Sequence, residues 1–413
     1  MKRLITTLII SLLLVGIPLE VCSNDVVISG TVKNRANKKK LPSVSLTIPG
    51  TNIGTVSNAD GTFTLKIPDS LSINGINAEL LGFKSYFIPG DMIVNNNNGN
   101  VFSILLTPSA KVLDEVTVYG ADPRALVETA LEKIPQNYPA EKNLFSAFYR
   151  ETIQKGKRYI SVSEAIVKVL KSPYKTRKIA GDKVQIEKGR RLVSQRISDT
   201  LSVKVIGGPA IPVVLDMVKN EDLLFRGEEL DFYDFKMEPM TSIDDRPQFV
   251  VSFTPRVKVD YPLYRGKVYI DRKTCAFSKA EFSLDLSDKE KVIRSILHKK
   301  PRGLRFNPQE VDFVVSYKYQ DGLSYLNYIS AKTRFKCDWT RRLFSAGYTV
   351  LSELVMVDRN DDPTVSISRK DAFGQKEVFY DMVDNFSDPD FWKDYNIIEP
   401  TESLEKAVLR LKN

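Results

Sequence analysis

The chain has 413 residues, of which 42% are hydrophobic and 27% are charged. Such fractions are ordinary for globular proteins and exclude a largely disordered chain. Lysine and arginine (60) outnumber aspartate and glutamate (51), so the net charge is +9, a balance that suits anionic surfaces such as lipid head groups but that many soluble proteins also have.

The N-terminus has the pattern of a secretory signal peptide. Lys2 and Arg3 precede an apolar stretch at 4–15, and small residues follow at the positions that a signal peptidase recognises. We predict a signal peptide at residues 1–23. Acylation of Cys22 is the alternative, although a lipoprotein site normally has a small residue before the cysteine. No later stretch approaches the ~20 apolar residues of a membrane-spanning helix, so the expected location is the periplasm.

Residues 24–108 are predicted to form a small β-sandwich of the seven-stranded type. Apolar and polar residues alternate at 43–48 and again at 63–67, and Gly, Pro and Asn separate these short segments. This spacing is typical of sandwich strands. Between the two segments, Asn58-Ala59-Asp60-Gly61 predicts a tight turn, because glycine accepts positive φ and the polar side chains can bond nearby backbone amides.

The segment 28–68 resembles the carboxypeptidase regulatory-like domain, a transthyretin-like β-sandwich. The resemblance rests on Gly30-Thr31-Val32, Leu41-Pro42-Ser43-Val44, Gly50-Thr51, Gly54-Thr55 and Asn58-Ala59-Asp60-Gly61-Thr62-Phe63. It implies an accessory module and not a catalytic one. The lone histidine, His298, also argues against a His-rich zinc site, and we expect no cofactor or metal.

Residues 109–122 are predicted to be a linker. With the preceding Leu105-Leu106-Thr107-Pro108, the run Leu113-Asp114-Glu115-Val116-Thr117-Val118 resembles the segment that joins this module to TonB-dependent outer-membrane receptors. The resemblance implies association with the outer membrane. It ends there, because the remaining residues are too few for the 22-stranded barrel of such a receptor.

For residues 123–413 we predict an α+β domain built on a large antiparallel sheet or half-barrel, which makes the chain mainly β. A helix at 123–134 opens the domain. Period-two alternation predicts strands at 144–153, 159–170, 248–254, 264–270, 277–286, 311–319 and 323–335. Short helices are predicted at 209–219 and 288–298, and a last amphipathic helix follows Thr401 as N-cap.

Two further resemblances concern this second region. A helix followed by long antiparallel strands, with Gly266-Lys267-Val268-Tyr269-Ile270-Asp271 leading into a turn, resembles the periplasmic lipoprotein-carrier fold, an open half-barrel wrapped on a helix. The whole chain is similar to a family of uncharacterised exported proteins, on Phe148-Tyr149-Arg150-Glu151, Ser163-Glu164-Ala165, Lys188-Gly189-Arg190-Arg191 and Phe391-Trp392-Lys393-Asp394-Tyr395-Asn396. That family implies architecture and location more than function.

Aromatic residues crowd one predicted hairpin of the second domain. They either fill a core or line an amphipathic cavity or partner surface, which are sites where aromatic side chains are frequent. The possible ligand or partner surface consists of Tyr317, Tyr319, Tyr325, Tyr328 and Trp339.

Two groups of acidic residues are candidate sites. Glu151 and Glu164 lie on adjacent predicted strands and would form a carboxylate pair for hydrolysis, although Arg150 and Arg158 are near enough to neutralise them. The run 358–362 concentrates oxygen ligands, but its spacing matches no ordered calcium loop, so a turn is favoured. We assign no catalytic residue.

The sequence therefore predicts a non-enzymatic envelope protein for binding or assembly. The sandwich acts as an interaction module, and the larger domain holds an amphipathic ligand such as a lipid, or a protein partner; nucleic acid is not expected. Alternatives are a carboxylate-dependent hydrolase acting on an envelope substrate and a small outer-membrane β-barrel. Cys275 and Cys337 either pair or remain free thiols in an oxidising compartment.

Overall fold

The computed structural model describes residues 26–68, 71, 74–95, 102–109, 122–196, 199, 204–205, 208–299, 302–339, 345–374, 379, 384–385 and 395–412. The signal peptide predicted at 1–23, and all but the two end residues of the linker predicted at 109–122, lie outside the described residues. Of the helices in these ranges, none has the length and apolar character needed to cross a membrane.

The N-terminal module is a β-sandwich of seven strands, as predicted. Its elements are β1 (Val26–Asn34), β2 (Ser45–Thr47), β3 (Gly54–Val56), β4 (Thr62–Ile67), β5 (Gly75–Glu79), β6 (Tyr86–Pro89), a short helix α1 (Gly90–Asn95) and β7 (Phe102–Leu106). One sheet has the order β4-β1-β7 and the other β3-β2-β5-β6. The alternation that predicted the strands marks the core, since Phe63, Leu65 and Ile67 are buried on one side of β4.

The predicted tight turn before β4 is present and depends on two residues. The Asn58 Oδ1 accepts hydrogen bonds from the amides of Asp60 (2.9 Å) and Thr62 (3.0 Å). Gly61 has φ +67°, and a Cβ at this position would lie 2.7 Å from the Val32 carbonyl oxygen. A side chain is therefore excluded by both conformation and space.

A large sheet of eleven strands, separate from the two sheets of the sandwich, forms most of the second part of the chain. Its strands are β8 (Asn143–Lys155), β9 (Arg158–Lys171), β10 (Lys183–Val193), β12 (Tyr233–Ile243), β13 (Arg246–Pro255), β14 (Tyr264–Asp271), β15 (Phe277–Leu284), β17 (Leu304–Gln320), β18 (Leu323–Trp339), β19 (Ala346–Asn360) and β20 (Asp384–Asn385). A separate pair is β11 (Lys204–Val205) with β16 (Leu297–Lys299).

The large sheet is antiparallel at every step except the last. Its order is β12-β13-β14-β15-β17-β18-β19-β8-β9-β10-β20, and only β10 and β20 pair in parallel. All seven strands predicted in this region are present, and β10, β12 and β19 extend the prediction. The mainly β architecture, with a large antiparallel sheet in the second part of the chain, is confirmed.

Helices are few and short. They are α2 (Pro123–Glu132), α3 (Ile134–Asn137), α4 (Ala210–Val214), α5 (Lys289–Ile296) and α6 (Glu402–Lys412). Asp122 caps α2 by accepting from the Arg124 amide at 2.9 Å, and Thr401 caps α6 by accepting from the Leu404 amide at 3.2 Å. The helix predicted at 209–219 is shorter than expected, because turns follow α4.

The two faces of the large sheet bury different side chains, because neighbours along a strand point to opposite sides. On β8, Tyr149 belongs to the main hydrophobic cluster, which also includes Val127 and Ala130 of α2. Phe148, the preceding residue, packs on the other face with Val56 of the sandwich. The sandwich therefore lies against one face of the sheet, while helix α2 belongs to the core on the opposite face.

Candidate binding cavity between the sandwich and the large sheet

The sandwich is attached to the sheet first at the hairpin turn between β12 and β13. The Gly82 amide donates to the Ser242 carbonyl oxygen at 2.9 Å, and the Ser85 hydroxyl donates to Asp244 Oδ1 at 3.0 Å. These bonds join the loop after β5 to the hairpin turn. They fix one side of the junction between the two modules.

The C-terminal segment fixes the other side of the junction. The Asn58 side-chain amide donates to the Glu399 carbonyl oxygen at 2.9 Å, so the residue that shapes the turn before β4 also binds this segment. Asn396 exchanges two bonds with the backbone of Lys66, at 2.7 and 3.0 Å. The segment before α6 therefore holds the sandwich in place.

A cavity of about 390 Å³ lies between these attachments. The sandwich contributes the loop before β2 and the end of β5, and the sheet contributes residues of β13, β14, β15, β17 and β18. Hydroxyl groups are numerous in its lining, with six serines: Ser43, Ser45, Ser278, Ser316, Ser324 and Ser330. The volume is within the range of small-molecule sites, about 300–1,000 Å³.

Three of the five predicted aromatic residues, Tyr317, Tyr319 and Tyr328, border this cavity. Tyr325 borders a second, much smaller cavity, where the Arg359 guanidinium lies 3.5 Å from its ring centroid. Trp339 is the last residue of β18, and its side chain lies outside the described part of the chain.

Tyr319 is the predicted tyrosine that is most open to solvent, with an exposed fraction of 36%. One side of its ring is covered by the Arg246 guanidinium, 3.9 Å from the ring centroid. Tyr328 is buried, and its hydroxyl donates to Glu353 Oε1 at 2.8 Å. Burial, followed by the charge of Glu353, raises the pKa of Tyr328 well above its ordinary value. Of these two tyrosines, Tyr319 is therefore the more accessible to a molecule in the cavity.

Tyr317 has a structural partner in the core. Its hydroxyl donates to Asp216 Oδ1 at 2.7 Å, and Tyr174 donates to the other oxygen of the same carboxylate at 2.8 Å. Lys171 lies 2.9 Å from that carboxylate. Burial favours a raised pKa for Asp216, but Lys171 and the two hydroxyls lower it below the ordinary value. Tyr317 therefore stabilises a buried ionic network.

The floor of the cavity is a polar cluster on β13 and β14. Arg246 Nε donates to Asp271 Oδ2 at 2.7 Å, and Gln248 Nε2 donates to the Arg246 carbonyl oxygen at 3.0 Å. Burial would raise the pKa of Asp271, but Arg246 and the Thr274 amide hold it below its ordinary value.

Two atoms of this cluster are buried without a hydrogen-bond partner among the described residues. They are Gln248 Oε1, an acceptor, and Arg246 Nη2, a donor. Gln248 is only 1% exposed. Neither residue was predicted as part of a site, although Arg246 and Gln248 occupy alternate positions of β13 and therefore lie on one face of the sheet.

A carboxylate of the sandwich faces the sheet at the rim of the cavity. Glu79 ends β5, and burial, followed by the charge of Asp244, raises the pKa of Glu79 to about 7. Lys318 on β17 opposes this effect, and burial lowers the pKa of Lys318 itself. Glu79, Asp244 and Lys318 all line the cavity, so its rim carries a titratable group.

The alternative pairing of Glu151 with Glu164 does not form, and Glu164 is neutralised by arginines. Arg150 is the cross-strand neighbour of Glu164, with Arg150 Nε donating to Glu164 Oε1 at 2.7 Å and Arg190 Nε to Oε2 at 2.9 Å. Burial favours a raised pKa for Glu164, but the two guanidinium groups lower it. Glu151 lies on the opposite face, where Tyr149 donates to it at 2.8 Å. The two carboxylates cannot act together.

Only the end of the acidic run 358–362 lies at a turn, because 358–360 complete strand β19 and the chain turns after Asp362. Asp362 Oδ1 accepts from the Thr364 amide at 2.9 Å, a local bond typical of Asx turns. Within the described ranges, no group of three or more His, Cys, Asp or Glu side chains is arranged to hold a metal ion. Cys275 and Cys337 are both free, which answers the question of pairing that the sequence left open.

The fold and the cavity define a two-module β protein, in which a seven-stranded sandwich closes over one face of a large antiparallel sheet. Residues 28–118 match the family model of the CarboxypepD_reg-like domain, which confirms the resemblance found for the sandwich. The chain is also 32% identical over 119 residues to the TonB-dependent receptor P3 of Formosa agariphila. This match includes 29% of the chain and spans 11% of the receptor's length.

Two solved structures show distant similarity. A DUF1329 family protein from Desulfovibrio piger is 13% identical with a TM-score of 0.26, and the match covers 60% of this chain and 96% of that protein. Lipovitellin, in a structure of its lipid–protein interactions, is 6% identical with a TM-score of 0.27, and the match covers 56% of this chain and 26% of that one.

Proposed function

We propose that the protein is a non-enzymatic binding protein of the cell envelope that holds a small polar ligand, or the polar part of an amphipathic one, in the cavity between its two modules. In this proposal residues 24–108 and 123–413 are separate domains, and the ligand binds where they meet. The similarity to a TonB-dependent receptor supports a periplasmic location near the outer membrane.

The observation that carries the proposal is the pair of unsatisfied atoms on the cavity floor. A buried polar atom without a partner costs about 1–3 kcal/mol, so a fold without a ligand gains nothing from leaving Gln248 Oε1 and Arg246 Nη2 without hydrogen bonds. A bound molecule that supplies the missing hydrogen bonds recovers this free energy. In a binding site, the ligand supplies the hydrogen-bond partners of the polar groups that line it.

The lining also limits which part of a lipid would fit. An acyl chain placed against the serine hydroxyls and the charged side chains would remove them from water without replacing their hydrogen bonds. A head group would replace them. If the ligand is amphipathic, its polar end therefore occupies this cavity.

The test is native mass spectrometry of the mature protein, purified from an envelope fraction without detergent. The proposal expects a stoichiometric small-molecule adduct. Ser330 lines the cavity on β18, so Ser330→Trp fills the site and should abolish the adduct. Ser29 is exposed on β1, outside the cavity lining, so Ser29→Trp is the matched control and should retain it.

Two observations together would contradict the small-ligand proposal. A clean mass for the wild-type protein, together with no change in its melting temperature on adding envelope extract, would remove the small-ligand proposal. The remaining candidate would then be a protein partner held by the sandwich, which crosslinking in intact envelopes would capture. An adduct that survives Ser330→Trp would place the ligand elsewhere.

A further inference from the structure

Four of the charged side chains that line the cavity, on β13, β14 and β15, already form two pairs with one another. Glu79, Asp244 and Lys318 bring charges of both signs to the rim. Arg246 is bonded to Asp271 at 2.7 Å, and Lys279 lies 2.6 Å from Glu281. A charged ligand would have to compete with these pairs, and removing one partner from a buried pair leaves the other charge unpaired at a large cost. A neutral ligand leaves both pairs intact.

The two unsatisfied atoms specify the hydrogen bonds that the ligand makes. Arg246 and Gln248 are two residues apart on β13, so their side chains emerge on the same face of the sheet. One presents a donor and the other an acceptor. A hydroxyl group both donates and accepts, and neighbouring hydroxyls on one molecule satisfy both atoms together.

Many of the other polar groups that line the cavity are neutral. Its six serine hydroxyls and the Asn327 amide are neutral groups that both donate and accept. Tyr319 adds a flat apolar surface at the rim. The combination suits a compact molecule with hydroxyls along its edges and C–H groups on its faces.

A peptide fits this cavity less well. Extended peptides gain much of their affinity by adding a strand to a sheet edge, and this cavity lies over the face of the sheet, against β13 to β18. Resting on the function proposed above, we infer that the cavity binds a neutral polyhydroxylated ligand, of the chemical class of a short saccharide.

The test is a binding screen on the full mature chain. The probes are neutral disaccharides and trisaccharides, matched oligosaccharides that contain uronic acid, tripeptides, and a lysophospholipid below its micelle concentration. Ligand-observed NMR detects binding, and titration calorimetry measures it. A neutral saccharide is expected to bind, and Gln248→Leu should weaken it at least tenfold. Gln185→Leu, a half-buried glutamine on the distant strand β10, should bind as the wild type does.

A second variant protects the test against misfolding. Tyr319 is partly exposed, so Tyr319→Ala should leave the melting temperature nearly unchanged and still weaken the saccharide severalfold. If only an acidic sugar, a peptide or the lysophospholipid binds, and Ser330→Trp abolishes that binding, the saccharide inference is overturned while the proposed binding function stands. If no probe binds and the purified protein has no adduct, both are overturned.

Discussion

Because of Glu79, the free energy of unfolding should depend on pH, and the direction of this dependence follows from the pKa shift. Burial and the nearby Asp244 raise the pKa of Glu79 from 4.5 to about 7. Between these two pH values the folded protein keeps a proton that the unfolded chain has lost. Since the folded state binds more protons in this window, raising the pH through it lowers the free energy of unfolding. The stabilising protonated form is fully present below pH 4.5 and is lost above about pH 7.

The size of the effect follows from the same two values. A pKa difference of about 2.5 corresponds to about 3 kcal/mol, at about 1.4 kcal/mol for each pKa unit. Glutamine has nearly the shape of protonated glutamic acid and does not titrate. Glu79→Gln should therefore equal the wild type near pH 4, exceed it by less than about 1 kcal/mol at pH 5 and exceed it by about 3 kcal/mol at pH 8.

The assay is urea unfolding at pH 5, 6, 7 and 8, with the free energy of unfolding extrapolated to water. Glu405→Gln on α6 is the matched control, because Glu405 is exposed and loses the same charge; its pH curve should follow that of the wild type. Parallel curves for the wild type and Glu79→Gln would refute the assignment of the shift to this junction.

Three further predictions use the same unfolding assay or a chemical probe. Lys171→Met leaves two buried carboxylates unpaired and should lower the free energy of unfolding by about 3–5 kcal/mol, whereas Lys168→Met, from a partly exposed pair, should cost less than about 1 kcal/mol. Gly266→Ala places a Cβ 2.1 Å from a backbone oxygen and should cost about 1–3 kcal/mol or abolish folding, whereas Gly347→Ala meets open space and should be nearly neutral. Burial raises the pKa of the Cys337 thiol to about 11, so iodoacetamide should label it slowly at pH 8 and rapidly in urea; fast labelling of the folded protein, followed by mass spectrometry, would contradict its burial.

The sandwich could be predicted because its determinants are local. Period-two alternation at 43–48 and 63–67 and the Asn58–Gly61 turn each depend on a few adjacent residues. The same holds for the long central strands of the large sheet apart from β19, which was missed although buried and half-buried residues alternate along its first half. Strands β10 and β12 were missed because they lie near the margins of the sheet and are partly exposed along most of their length, so their sequences alternate weakly.

The cavity could be predicted only in part, because its residues are far apart in the chain. Three of the crowded tyrosines border the cavity, and their role in binding stays a prediction. Glu79 and Gln248, which define its rim and floor, come from different modules. Their proximity depends on how the sandwich sits on the sheet, and no pattern within either strand encodes that arrangement.

The pairing of β8 with β19 at the middle of the large sheet has a consequence for biogenesis. The two strands pair residues that are far apart in the chain, for example Glu151 and Ser352, which are 201 residues apart. A ribosome delivers β8 long before β19 exists, so the emerging hairpin β8–β9 waits with one backbone edge unpaired. Unpaired strand edges can pair with other chains and so cause aggregation. Because strands that are far apart in the chain pair slowly, the edge stays exposed for longer. Newly made protein should therefore depend on chaperones until its last strands arrive.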